Sequence, residues 1–448
     1  MSNLSISKTT YKNIFCEVFK DDAVKYFDLR AKAGDPNGNN IVVNSKYFAI
    51  PYKGPGGPVA VINLEKPGRF GNVPMLEGHT APVTDLAFSP FNAQLLASAS
   101  GDGNICIWQI PEGGVTETIR EPTQKLLGHE KKISKIRFHP SANNVLASSS
   151  FDKTIKLWDL EKQDAQVTLE VGELITDFAF NIDGSQMVVA SKDKKLRIYD
   201  TRSGEVVATT EGFPGSKPVR VVWAKRHNKI IACGFGKMAD ARIRLYDPEK
   251  FEAPLQKDEL DRESGNFLPV YDEDTGILVL ARKGGSSLRY FELSESELML
   301  TGAKKKFVVN STMSGLAGAP KIANDTSNHE IIKLFQLSGE QVQPMSIRVP
   351  RKTTNFQEDI FPDTFHIKPA IEAEAFFGGE TAAPLEVSMK PGERPEGSVV
   401  IASFKPTYEK KEREKPKEKT EADLLREENE QLKAKIVELE AKIKELSA

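Results

Sequence analysis

Two pairs of residues at matched spacing have the makings of acid–base chemistry. His79 precedes Asp102 by 23 residues, and His129 precedes Asp152 by the same 23. An imidazole beside a carboxylate can serve as a general base, and a His/Asp cluster can hold a metal. The duplication argues against both. A catalytic centre is built once, whereas the same residues at a fixed offset of 50 belong to a repeating unit. The six histidines are otherwise scattered, and His227, His329 and His366 have no carboxylate or nucleophile at suggestive spacing. The glycine-rich GPGGP at 54–58 lacks the Lys-Ser/Thr of a phosphate loop and reads as a turn.

The elements that must position these residues are short strands. Seven runs of β-branched and aromatic residues end on an aromatic or apolar anchor, among them NICIWQI (104–110), TIKLWDL (154–160) and IIKLFQL (331–337). The anchors are Ile62, Trp108, Trp158, Tyr199, Tyr246, Phe291 and Phe335, spaced 41 to 50 residues apart. Alternating strands and Gly/Asn/Asp/Ser turns fill the intervals, so the repeat is β rather than helical. A prior of about three domains for 448 residues gives way to one repeat array.

Composition narrows the function. Hydrophobic residues make up 39%, enough for a large core. The net charge of −2, from 61 basic and 63 acidic residues, argues against a chain built to coat nucleic acid. Cys16, Cys106 and Cys233 form neither a disulfide framework nor a zinc motif. Met1 to Thr10 lacks the apolar core of a signal peptide, and no run of about 18 apolar residues spans a membrane. The expectation is a soluble cytosolic protein without cofactor or metal.

A β unit of this length ending in KLWD resembles the WD repeat. That resemblance implies a hydrogen-bonded chain in each fuller unit: His79, Ser98, Asp102 and Trp108 in one, His129, Ser148, Asp152 and Trp158 in the other. The third unit keeps Asp193 and Tyr199 and the fourth Asp240 and Tyr246, both without Gly-His. Seven anchors imply an all-β propeller of seven four-stranded blades. Closing the ring without an open edge needs a strand from the other terminus, for which YKNIFCEVF (11–19) is the candidate.

After Leu337 the pattern changes. The reading ends the propeller at 340 and assigns 341–404 to an extension packed on its surface. Its anchors include Ile347, Val349, Phe356, Ile360, Phe361 and Phe365. Residues 405–420 are an almost wholly charged linker. From 421 to 448 an a/d heptad runs unbroken, with Leu425, Leu432, Leu439 and Leu446 at d and Ala422, Asn429, Ile436 and Ile443 at a. Glu421–Arg426, Glu428–Lys433 and Lys435–Glu440 are opposite charges at i to i+5, the pattern of a parallel coiled coil. Ile at a, Leu at d and one Asn429 favour two strands.

The whole plan resembles the coronins, a family of actin-binding WD proteins. WQIPEGG (108–114), IRVPRK (347–352), FQEDIFPDT (356–364), YKNIF and YFDLR (26–30) carry the resemblance, which covers essentially the whole chain. It implies binding and bundling of actin filaments, regulation of the actin-related branching complex, action with cofilin, and a place in the cytoplasm at the actin-rich cell cortex. Arg30 matches a filament-contacting position. The lysines Lys304, Lys305 and Lys306 are a further basic candidate, as are Lys192, Lys194 and Lys195. The family's trimer motif is matched by Lys435, Ile436, Leu439 and Glu440 with Lys in place of Arg, so trimer and dimer both stand. The rival reading is a general WD adaptor of a signalling or ubiquitin-type assembly, since propellers host many functions. An enzyme is not expected.

Overall fold

The computed structural model describes residues 11, 13–19, 21–32, 38–260, 264–295, 297–301, 306–353 and 355–395, with Leu432, Lys433, Lys435, Ile436, Leu439 and Glu440. The chain divides into two units, residues 1–403 and 404–448. In the second, the six described residues are helical, and Leu432, Ile436 and Leu439 are exposed. Leu425, Asn429, Ile443 and Leu446 lie outside the described residues.

In the first unit, β-branched runs separated by tight turns fold into antiparallel hairpins, and the hairpins pair into blades. Seven such sheets are found among the described residues. The second blade shows the plan from the inside out: Val83–Phe88, Leu95–Ser100, Ile105–Gln109 and Gln124–Leu126. The first strand of each blade touches the first strands of both neighbours, all round the ring. The core accordingly sits between blades. One apolar cluster fills each of the seven seams, as where Ile105 and Ile107 of the second blade meet Ile136 and Trp158 of the third. The anchors Trp108, Trp158, Tyr199, Tyr246 and Phe291 are all buried on third strands.

The seventh blade departs from the sequence reading. Its strands are Gly315–Gly318, Glu330–Ser338, Gln341–Arg348 and, outermost, Phe15–Val18. Phe335 therefore stands on the second strand, not the third, and pairs with Pro344 across the hairpin. The turn between them is tight, with Gly339 in the left-handed region at φ 58°. The propeller thus ends at Arg348 rather than at 340. Ile347, fully buried, is part of the blade and not of the extension. The outer strand closes the ring antiparallel, Phe15 opposite Arg348 and Val18 opposite Met345. The Arg348–Glu17 ion pair at 3.1 Å spans the same seam.

Residues 349–395 form a strap that runs out and back along the face bearing the turns between first and second strands. Going out, Ile360 and Phe361 bury in the seam of blades six and seven. Next, Phe365 lies under Arg226, 4.5 Å from ring centre to guanidinium. Ala373 and Phe376 of the short helix Ala373–Phe377 fill the seam of blades three and four. The return leg pairs Glu386–Val387 with Thr364–Phe365 and buries Met389 back in the first seam. Three arginines hold the strap through carbonyls, two of the strap's own and one of the propeller. Arg202 donates to Phe376 O, Arg226 to Asp363 O, and Arg394 to Asn324 O of the propeller.

Candidate functional site

The two His/Asp pairs have the connectivity of a Ser–His–Asp relay. In the second blade, His79 Nδ1 lies 3.1 Å from Asp102 Oδ2 and Nε2 2.8 Å from Ser98 Oγ. Trp108 Nε1 donates to the same Ser98 Oγ at 2.8 Å. The third blade repeats it with 2.7 Å at each of the three links, through His129, Asp152, Ser148 and Trp158. One proton assignment satisfies every atom: the tryptophan donates to the serine, the serine to the imidazole, and the imidazole to the carboxylate. Burial opposes ionisation of Asp102, yet hydrogen bonds from His79, Thr80 and Asn104 outweigh it and hold the carboxyl well below its usual range. Burial pushes His129 below the usual imidazole value against the pull of Asp152, which keeps it neutral near pH 7. Ser98 and Ser148 have no exposed surface, and the tryptophan has already taken the hydroxyl's acceptor side. No substrate reaches such a serine, so these chains tie turns.

Blades four and five solve the same problem with arginine. Arg197 donates to Ser191 Oγ at 2.8 Å and pairs with Asp193, where hydrogen bonds overcome burial to bring the carboxyl down to about 2. Arg242 pairs with Asp240. The sequence reading missed both arginines, although each lies on the third strand just after its aspartate.

The first strands line a central channel of about 530 Å³. Asp85 and Asp177 each accept a backbone N–H from the next blade, Ile136 and Val221, at 3.1 Å. Their other oxygens face Lys135 at 3.6 Å and Arg137 at 2.9 Å. Burial lowers the Lys135 ammonium's pKa; Asp177 is held down by Arg137, Arg220 and Lys135 against its own burial. Charges here staple blade to blade. Among the described residues no group of three or more His, Cys, Asp or Glu could hold a metal. Among the described residues, no helix is long and apolar enough to cross a membrane.

Arg30 is presented on a built seam. Tyr26–Phe27 pairs with the seventh blade through Val342 and with Gly68–Arg69, in the connection between the third and fourth strands of the first blade. Leu29 is wholly buried and its N–H bonds to Glu340 O at 2.9 Å; Arg30 O accepts the N–H of Lys53 at 2.8 Å. With its backbone fixed on both sides, the exposed Arg30 side chain makes no ion pair with any described residue. Around it, Lys53 pairs with Glu340 and Arg69 with Asp28. Lys304 and Lys305 lie outside the described residues, and Lys306 is half-buried beside the outer part of the sixth blade. Lys192 and Lys194 are exposed in the turn of the fourth blade. The WQIPEGG stretch has a role of its own: the loop following Trp108 returns so that Ile119 bridges to Leu76, covering the short outer strand of the first blade.

Residues 71–109, 120–159 and 168–200 match the WD domain, G-beta repeat. Residues 5–69 match a domain of unknown function (DUF1899), the segment that supplies the closing strand and Arg30. Residues 342–384 match a type of WD40 repeat, a span used here for the last blade's third strand and the strap rather than an eighth blade. Coronin-A of Dictyostelium discoideum is 41% identical over 451 residues, covering 99% of both chains. The WD40 domain of Toxoplasma gondii coronin superposes with a TM-score of 0.81 at 32% identity, over 86% of this chain and 99% of that one. A chain of the mitotic checkpoint complex, at 15% identity and TM-score 0.55 over 73% of this chain and 96% of that one, shares the fold alone. Identity of this order along the entire length, over a seven-bladed ring closed by the chain's own N-terminal strand, makes this protein a member of the coronin family.

Proposed function

We propose that the protein is a non-enzymatic scaffold that binds and bundles actin filaments, acting with the actin-related branching complex and cofilin in the cytoplasm at the cell cortex. The observation that carries this is the full-length kinship with Coronin-A, at 41% identity over 99% of each chain. The exposed Arg30 on its anchored seam supports a filament contact: actin's surface is acidic, and a guanidinium on held backbone, with no ion pair to any described residue, is suited to it. The apolar residues Leu432, Ile436 and Leu439, each helical and exposed, support assembly through a parallel coiled coil, as trimer or dimer.

Oligomerisation matters because one propeller presents one site. Two or three propellers joined through charged linkers, which can reach at most about 3.3–3.6 Å per residue, bind a second subunit at high effective concentration, which raises avidity by roughly 10²–10⁴. Cosedimentation with actin filaments tests the reading. The full chain is expected to pellet and to bundle; a chain lacking 421–448 should bind weakly without bundling. Arg30→Asp should bind less while its melting is unchanged. A folded wild-type chain left in the supernatant sinks the proposal.

A further inference from the structure

The turns between second and third strands and the loops leading into each new blade share one face of the ring. They are bonded to each other around blades three to five. His129 of one loop holds Asp152 of the next turn, Lys153 O accepts from Val171, Leu174 O from Lys192, and Lys194 O from Gly212. This makes a continuous platform rather than a set of free loops. Lys131, Lys153, Lys192, Lys194 and Lys237 are exposed on it.

The acids that could neutralise them are spent. Asp152 is held by His129, Asp193 by Arg197 and Asp240 by Arg242. In these turns and loops of blades three to five only Glu130 and Glu173 remain, with Glu170 and Glu211 exposed at the strand ends opposite Thr154 and Lys195, against five exposed lysines. Three apolar tips stand among the charges, with Leu127 at 64%, Met238 at 79% and Phe151 at 36% exposure, the last under the Lys132 ammonium. Apolar tips ringed by lysines fit a protein surface that is acidic with apolar spots, better than a bare polyanion.

Two of the lysines sit in left-handed backbone, Lys153 at φ 75° and Lys194 at φ 69°. The second blade places Gly103 at the same turn position, φ 81°. A side chain held where glycine is the relaxed choice is an outlier that invites a functional reason.

We infer that this platform on blades three to five is a second filament-docking surface, which grips the acidic face of the filament independently of Arg30. The inference rests on the filament-binding reading above. Arg30 lies at the junction of blades seven and one, on another part of the ring.

The test is cosedimentation of the full chain with actin filaments across a salt series, comparing wild type, Lys153→Gly/Lys194→Gly, Phe151→Ser and Arg30→Asp. Glycine at 153 and 194 removes two charges and relaxes the turn; it also removes the exposed bond from Lys153 Nζ to Gly172 O at 3.0 Å, so melting should change little. Binding of the double variant is expected to weaken roughly fivefold or more, with a shallower salt dependence. Phe151→Ser should weaken binding without changing that slope. Wild-type affinity in both platform variants, with Arg30→Asp impaired, overturns the inference and leaves the filament reading intact. A wild-type chain that does not pellet overturns both.

Discussion

Arg202 lies over the ring of Phe376, with 4.6 Å between guanidinium carbon and ring centre, and its Nε donates to the Phe376 carbonyl at 2.8 Å. The two residues are 174 apart in sequence. One side chain thereby satisfies a carbonyl at the end of the strap helix and packs against the ring that the helix drives into the third seam. His139 closes the other side of that ring at 4.3 Å, kept neutral by burial with its pKa near 3.

Arg202→Ala should therefore loosen the strap. Losing the stacking and the carbonyl bonds costs about 2–3 kcal/mol. Arg202→Lys keeps the charge but not the planar fork and should recover only part of it. Limited proteolysis provides the readout: cleavage within 378–395 should precede loss of the propeller, and equal resistance in wild type and Arg202→Ala would count against the latch.

The buried chains are structural, which separates their mutants from binding mutants. Asp102→Ala or Asp152→Ala leaves an imidazole and a turn N–H without an acceptor, a loss of about 1–3 kcal/mol. Filament binding by the fraction still folded should be near normal. A mutant with full thermal stability and lost binding would reverse the assignment.

Asp274 gives the strap a pH dependence. Its carboxyl is buried beneath Thr364, and burial raises its pKa to about 6, with Asp272 adding to the rise and Lys321 and Arg226 opposing it. A carboxyl raised in the folded state contributes stability that is complete below its ordinary value near 4 and lost as pH rises through 6. Acidification from pH 7.5 to 5 should therefore move the urea midpoint upward through this group. Asp274→Asn should remove that part of the slope. Identical pH profiles would show that Asp274 ionises in the fold as it does in the unfolded chain.

Assembly is addressed at the heptad. Replacing Leu432 and Leu439 by Asp puts charge on the exposed apolar stripe. Sedimentation equilibrium should then report a monomer where the intact chain gives a dimer or trimer. Asn429→Ile should strengthen association while relaxing control of strand number. An intact chain that is monomeric at micromolar concentration excludes the avidity argument.

The ring was legible in the sequence wherever a blade's third strand ends on an aromatic after a polar turn. It failed at the seventh. There the second strand IIKLFQL imitates a third strand, while the real one, QVQPMSIR, has no aromatic and carries Pro344. The proline is tolerated because the closing strand begins pairing at Met345, one residue on, so its missing N–H faces no partner on that side. The strap's path was not legible at all. Its anchors answer to Arg202 and Arg226, far away in sequence, and no period records that. Arg197 and Arg242 escaped notice for a simpler reason: a search for Gly-His does not find a guanidinium doing the same job from the neighbouring strand.

The pairing of Phe15–Val18 with Gln341–Arg348 also sets an order of events during synthesis. The closing strand is made more than three hundred residues ahead of its partner. At about 5–20 residues per second the wait is roughly 20–60 s. Through that interval the intervening hairpins can form, yet the ring stays open and Phe15–Val18 has no edge to join. Nascent chains of this protein thus carry an unpaired β-segment until Gln341–Arg348 has been made, a template for wrong pairings through that interval.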